Sequence, residues 1–164
     1  MEFTIRRLTA SDAALYQPVR LEGLRDHPTA FGAAYEAEQE MPPEAVAQRL
    51  ARAVTWGAIA RGVLVGITTF FVLDGAKTRH KGMIVGVYVR PAARGTGVSR
   101  ALMQSALDHA KGLVELVQIG VASDDPAARR LYEGLGFVPY GTEPRAYKLA
   151  DGSYVDDVLM WRAV

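Results

Sequence analysis

Three consecutive elements in the second half of the chain restrict its fold more than anything else in the sequence. Met83-Ile84-Val85-Gly86-Val87-Tyr88-Val89 is rich in β-branched residues and apolar on both faces, which predicts a strand buried on both sides. From Gly97 the period changes: Val98, Ala101, Leu102, Ser105, Ala106 and His109 fall on one helical face, and Gly112 ends the element. Val114 to Val121 is a second buried strand. Strand, helix and strand in that order form a crossover unit, so the two strands run parallel. Gly86 weakens the first ladder and predicts a bulge or a close backbone approach.

The flanking sequence is different in kind. Phe3, Ile5 and Leu8 predict a first strand, and Thr9-Ala10-Ser11-Asp12 opens a helix that runs to about Arg25, before Asp26-His27-Pro28. Residues 27 to 43 read as irregular and carry Glu36, Glu38 and Glu40. Pro43 suits the first position of a short helix through Leu50 and Ala51. Strands at about 54–60 and 63–73 are joined tightly at Arg61-Gly62. Asp125-Pro126 opens a helix that ends at Gly134 to Gly136, and the tail reads as two strands around Asp151-Gly152. These hairpins make the other strands antiparallel. The expectation is an α/β (α+β) chain with a mixed, mostly antiparallel sheet and helices on both faces. No repeat or linker divides it, so residues 1–164 are read as a single domain.

Composition narrows the function classes. Apolar residues make up 49% and charged residues 23%, the balance of a globular protein. Nineteen basic against eighteen acidic residues leave a formal charge of +1, which gives no basic stripe for nucleic acid or a membrane surface. The absence of cysteine excludes a disulfide framework, a thiolate metal site and a cysteine nucleophile. His27, His80 and His109 lack metal-ligand spacing, so no metal is expected. The start resembles no signal peptide, and the longest apolar stretch, residues 62 to 73, is too short and interrupted for a span. A cytoplasmic protein is expected.

The candidate binding feature is Arg94-Gly95-Thr96-Gly97-Val98-Ser99, between a buried strand and a helix start. Glycines let the backbone turn sharply and aim several N–H groups at one point, while the helix N-terminus adds partial positive charge. Arg94 and Arg100 can add charge-assisted contacts. The dinucleotide fingerprint needs a third glycine where Arg100 stands, and the Walker loop needs Gly-Lys-Ser/Thr, so both fail. On composition alone the loop reads equally as a helix-initiating turn without a ligand.

The stretch from Val87 to Ser99 resembles motif A of the GCN5-related N-acetyltransferase (GNAT) superfamily: a strand ending V-x-V-x-P, then Gln/Arg-x-x-Gly-x-Gly/Ala. Arg94 and Gly97 match, and Ser99 stands for the last small residue. Asp125 to Phe137 resembles the family's N-x-x-A-x-x-L-Y-x-x-x-G-F segment, with Asp125 where asparagine is usual. As a residue in its own right, Asp125 reads first as a helix N-cap before Pro126. The resemblance implies a sheet splayed between strands 83–89 and 114–121, with acetyl-CoA in the gap. It implies that the pantetheine arm pairs with backbone near Val87 and Val89, and that a backbone N–H near Tyr88 polarises the thioester oxygen. The pyrophosphate then lies on Arg94, Gly95, Thr96, Gly97, Val98 and Ser99, with Asp125 as a further cofactor contact and Tyr132 as general acid.

The resemblance thus implies direct acetyl transfer to a primary amine, either of a small molecule or of a peptide or protein. A catalytically weak acyl-CoA-binding sensor or scaffold is the alternative, and a nucleotide-binding regulatory module is a third. No general base is assigned: Glu22, Glu36, Glu38, Asp156 and Asp157 are candidates, each read as a solvated surface acid. Glu36, Glu38 and Glu40, with Phe31 and Tyr35 before them, raise the expectation of an acidic wall that attracts a cationic acceptor. Edge strands of the C-terminal hairpin can pair across a homodimer.

Overall fold

The computed structural model describes residues 1–164. Seven strands form one sheet in the order β1-β2-β3-β4-β5-β7-β6. They are β1 (Thr4–Leu8), β2 (Val54–Ala60), β3 (Val63–Val72), β4 (Lys81–Val89), β5 (Leu116–Ala122), β6 (Val138–Lys148) and β7 (Tyr154–Ala163). Only the β4–β5 pair is parallel, as expected of the two strands joined by a helical crossover. Every other neighbour is antiparallel.

Helices cover both faces, because alternate side chains of the central strands are apolar on each. On one side α1 (Ala13–Asp26) and α3 (Pro43–Arg52) bury Tyr16, Val19, Leu24, Val46 and Leu50 against Leu64, Ile67 and Tyr88. On the other side α4 (Val98–Ala110) and α5 (Pro126–Glu133) pack Leu102, Met103, Ala106 and Tyr132 against Phe70, Ile84, Val117 and Ile119. Leu102 and Met103 are wholly buried, each contributing about 1.5–3 kcal/mol of transfer free energy. No helix is long and apolar enough to cross a membrane.

The structure corrects several expected boundaries. A 3-10 turn at Ala10–Asp12 precedes α1, which begins only at Ala13. Residues 27 to 43 are not irregular throughout: a 3-10 turn at Pro28–Ala30 leads to a short helix, α2 (Tyr35–Gln39). The second parallel strand starts at Leu116 rather than Val114, because the Leu113 and Val114 N–H groups still donate to Ala110 O at the end of α4.

Candidate active site

β4 and β5 share three paired positions, Lys81↔Leu116, Gly82↔Val117 and Met83↔Gln118, and then part. Each keeps its outer neighbour, β3 for β4 and β7 for β5. Between the pairs Ile67↔Tyr88 and Thr69↔Val85, β4 carries one residue more than β3. Gly86 takes up this bulge with φ +64°, a left-handed conformation that favours glycine. Bulges bend their strand and twist it more strongly. The edge of β4 facing β5 therefore carries, from Ile84 to Val89, backbone groups without a strand partner, suited to an extended ligand.

At the far end of β4 a 3-10 turn, Pro91–Ala93, leads into the glycine loop. Gly95 and Gly97 have φ of +73° and +90°, and the Thr96 hydroxyl pins the loop by donating to Ala93 O at 2.6 Å. None of the N–H groups from Gly95 to Arg100 donates to a backbone carbonyl. A Cβ added at Gly95 or Gly97 would meet nothing within 4 Å. A row of free donors at a helix N-terminus, facing open space, fits a pyrophosphate. The two arginines expected to help are turned elsewhere. Arg94 Nε donates to Val89 O at 3.0 Å, and its Nη2 lies 2.8 Å from His27 Nε2. Arg100 Nη1 donates to Gly134 O at 3.3 Å. The backbone is what the loop offers.

Gly97→Val tests the loop. The left-handed φ costs a β-branched residue about 1–2 kcal/mol, and the added methyls enter the space in front of the free N–H groups. CoA affinity should fall well beyond tenfold in a variant that still folds. Unchanged affinity by calorimetry would remove the loop from the cofactor site.

The split opens on the α1 side into a cleft of about 710 Å³. Tyr132 of α5 lines it, with its ring packed on Phe137 at 6.2 Å between centroids. The Tyr132 hydroxyl has no hydrogen-bond partner within the protein and is not among the fully enclosed polar atoms. Burial raises its pKa well above the ordinary tyrosine value, and the Asp125 and Asp157 carboxylates raise it further. Asp125 caps α5, accepting from Ala128 N at 2.9 Å, and also lines the cleft.

Asp157, expected on the surface, is buried with 6% exposure and stands in the cleft wall. A Cβ built on Gly120 would fall 2.2 Å from Asp157 Oδ2 and 3.0 Å from Cγ. The carboxyl therefore lies across β5 where any side chain at position 120 would displace it. Burial raises its pKa, neighbouring Glu143 adds to the rise, and the Tyr147 hydroxyl offsets part of it. Tyr147 also closes the cleft from the β6 side, packed on Gly32.

The other wall also differs from expectation. Glu38 is buried with 4% exposure, whereas Glu36 and Glu40 are exposed. Arg20 holds Glu38 in a fork, Nε to Oε2 at 3.1 Å and Nη2 to Oε1 at 3.0 Å, and Arg49 Nη1 lies 2.8 Å from Oε2. Burial alone would raise the Glu38 pKa, but hydrogen bonds and charge from Arg20 and Arg49 outweigh it and the net shift is downward. The acidic wall read from the sequence is thus a neutralised acid between two cations. Glu22 is likewise engaged: it accepts from the Tyr88 hydroxyl at 2.9 Å and from Arg90 Nε at 3.0 Å. Burial, followed by this bond to Glu22, pushes the Tyr88 pKa up to about 12. The Tyr88 side chain of β4 packs under α1, and Tyr88 is not part of the cleft lining.

A sequence model described as the acetyltransferase (GNAT) family matches residues 21–137. The chain belongs to the GNAT family. Among curated proteins it is similar to the N-alpha-acetyltransferase RimI of Mycobacterium tuberculosis, 34% identical over 94 residues. That match covers 57% of this chain and 58% of the relative, so the chain spans less than two thirds of its length. Among solved structures it resembles an acetyltransferase of the GNAT family from Streptococcus pneumoniae, with TM-score 0.85, 23% identity and coverage of 99% and 100% of the two chains. It also resembles yncA, a putative acetyltransferase from Salmonella typhimurium solved with its cofactor acetyl-CoA. There the TM-score is 0.82, the identity 22% and the coverage 99% and 94%.

Within this GNAT fold Val87, Asp125 and Tyr132 all line the cleft. Tyr88 and Val89 continue the same strand, and Arg94 to Ser99 form the loop beyond it. The residues that sequence reasoning left aside are Arg20, Arg49 and Gly120. It named Asp157 only as one acid among five. A signal existed for Asp157: strand alternation places it on one face with Val155 and Leu159, an acid on an otherwise apolar side.

Proposed function

We propose that this chain is an acetyl-CoA-dependent N-acetyltransferase that moves the acetyl group directly to a primary amine. One observation carries the reading: the split between β4 and β5 joins a row of free N–H donors to a cleft holding Tyr132 and Asp157. When bound, acetyl-CoA supplies an activated thioester. The loop from Gly95 to Arg100 holds a pyrophosphate, and the free edge of β4 around Val87 and Val89 pairs with an amide-bearing arm.

Asp157 receives the proton of the acceptor ammonium. An alkylammonium has pKa near ~10.4, so a base with a raised pKa narrows the gap it must bridge. Tyr132 stays protonated and gives its proton to the departing sulfur. A dry site disfavours the charged form of a tyrosine and of a thiol alike, so burial raises both pKa values. The test is a screen of acetyl-CoA against amine classes, read by release of free CoA. Release with at least one class is expected. Tight CoA binding with no release from any amine would replace this reading with that of an acyl-CoA sensor.

A further inference from the structure

Resting on that reading, the charge layout of the cleft bears on the class of acceptor. The wall built by α1, α2 and α3 carries two guanidiniums, Arg20 and Arg49, against one carboxylate, Glu38, and so is net cationic. Glu38 occupies Nε and Nη2 of Arg20. The remaining Nη1 has no hydrogen-bond partner and points over the β4 bulge, 3.5 Å from where a Gly86 Cβ would stand. The Arg20 side chain is only 12% exposed. Nη1 is not among the fully enclosed polar atoms, so it opens onto the cleft as a donor available to a ligand. Its planar fork suits a carboxylate. The opposite wall, on β6 and β7, presents Asp157 and Glu143. Cations on one wall and acids on the other match a molecule with charges of both signs, and they repel one that is cationic throughout.

We propose that the acceptor is a small amine that also bears a carboxylate, its ammonium toward Asp157 and Glu143 and its carboxylate toward Arg20 and Arg49. This reverses the polarity that the row of glutamates in residues 36 to 40 suggests. Glu38 keeps the two arginines in place and sets the wall's net charge.

The experiment uses matched probes: free L-amino acids and their carboxamides, which share the amine and differ in the carboxylate. Binding to the CoA-loaded protein is measured by calorimetry, and transfer from acetyl-CoA by CoA release. The free acids should bind at least tenfold more tightly than the carboxamides and be acetylated in preference to them. Arg49→Gln leaves the Arg20–Glu38 fork intact and should narrow the acid-over-amide ratio at least threefold. Arg20→Lys keeps the charge but loses the free Nη1 and should narrow it further; thermal melts establish that both variants fold. Selective binding of the acids without transfer would uphold carboxylate recognition and overturn the transferase reading instead. Equal binding of acids and carboxamides, or preference for a polyamine or a peptide N-terminus, would overturn the proposal.

Discussion

Asp157→Asn should lower kcat/KM for the acceptor by about 10²–10⁴, the usual contribution of a positioned general base, and leave acetyl-CoA affinity nearly unchanged. Asparagine has the same shape, so it still fits across Gly120, the position where an added Cβ would displace this side chain. The variant should also lose the acid limb of the pH–rate profile. Asp157 acts as the carboxylate, so wild-type activity rises with pH through its raised pKa. Stability moves the opposite way. With the folded pKa above the unfolded one, this group's contribution is fully present below the ordinary carboxylate range. It is lost as pH rises through the folded value. Near neutrality, Asp157→Asn should therefore melt no lower than the wild type. Loss of activity in an undestabilised protein separates a working base from a structural acid. Activity within a factor of a few of wild type, with the acid limb intact, would take the role away from Asp157.

Different parts of this site were legible in the sequence to different degrees, for physical reasons. The β4–α4–β5 unit was readable because both strands are apolar on two faces and the helix on one, so local periodicity carries the answer. The glycine loop was readable because backbone in left-handed conformations at Gly95 and Gly97 demands that residue type. The Gly86 bulge left its mark in the same way. Charge burial left no such mark. Glu36, Glu38 and Glu40 look alike in the sequence, and only Arg20 on α1 and Arg49 on α3 single out the middle one. The helix α2 is too short to form by propensity alone. It is held by packing and by that ion cluster, which explains why its segment reads as irregular. Asp157 and Gly120 meet because β5 and β7 are neighbours, a pairing that follows from sheet order and not from spacing.

Tyr132→Phe should reduce kcat on the order of 10²-fold, at the lower end for a lost proton donor, with the Kd for acetyl-CoA unchanged. The ring is what packs: it meets Phe137 and stays when the hydroxyl is removed. The hydroxyl has no protein partner to leave unpaired, so the variant should melt within about a degree or two of wild type, as expected where no buried hydrogen bond is broken. A general acid must be protonated to act, so activity falls as pH rises through its pKa. Burial and the two nearby carboxylates place that fall above the ordinary tyrosine range. Wild-type kcat should therefore show no basic limb from this group up to about pH 10. A drop in kcat alone marks the hydroxyl as the proton donor to sulfur. If the variant instead loses stability and CoA affinity together, Tyr132 is a packing residue of the α5 core and the leaving thiolate takes its proton from solvent.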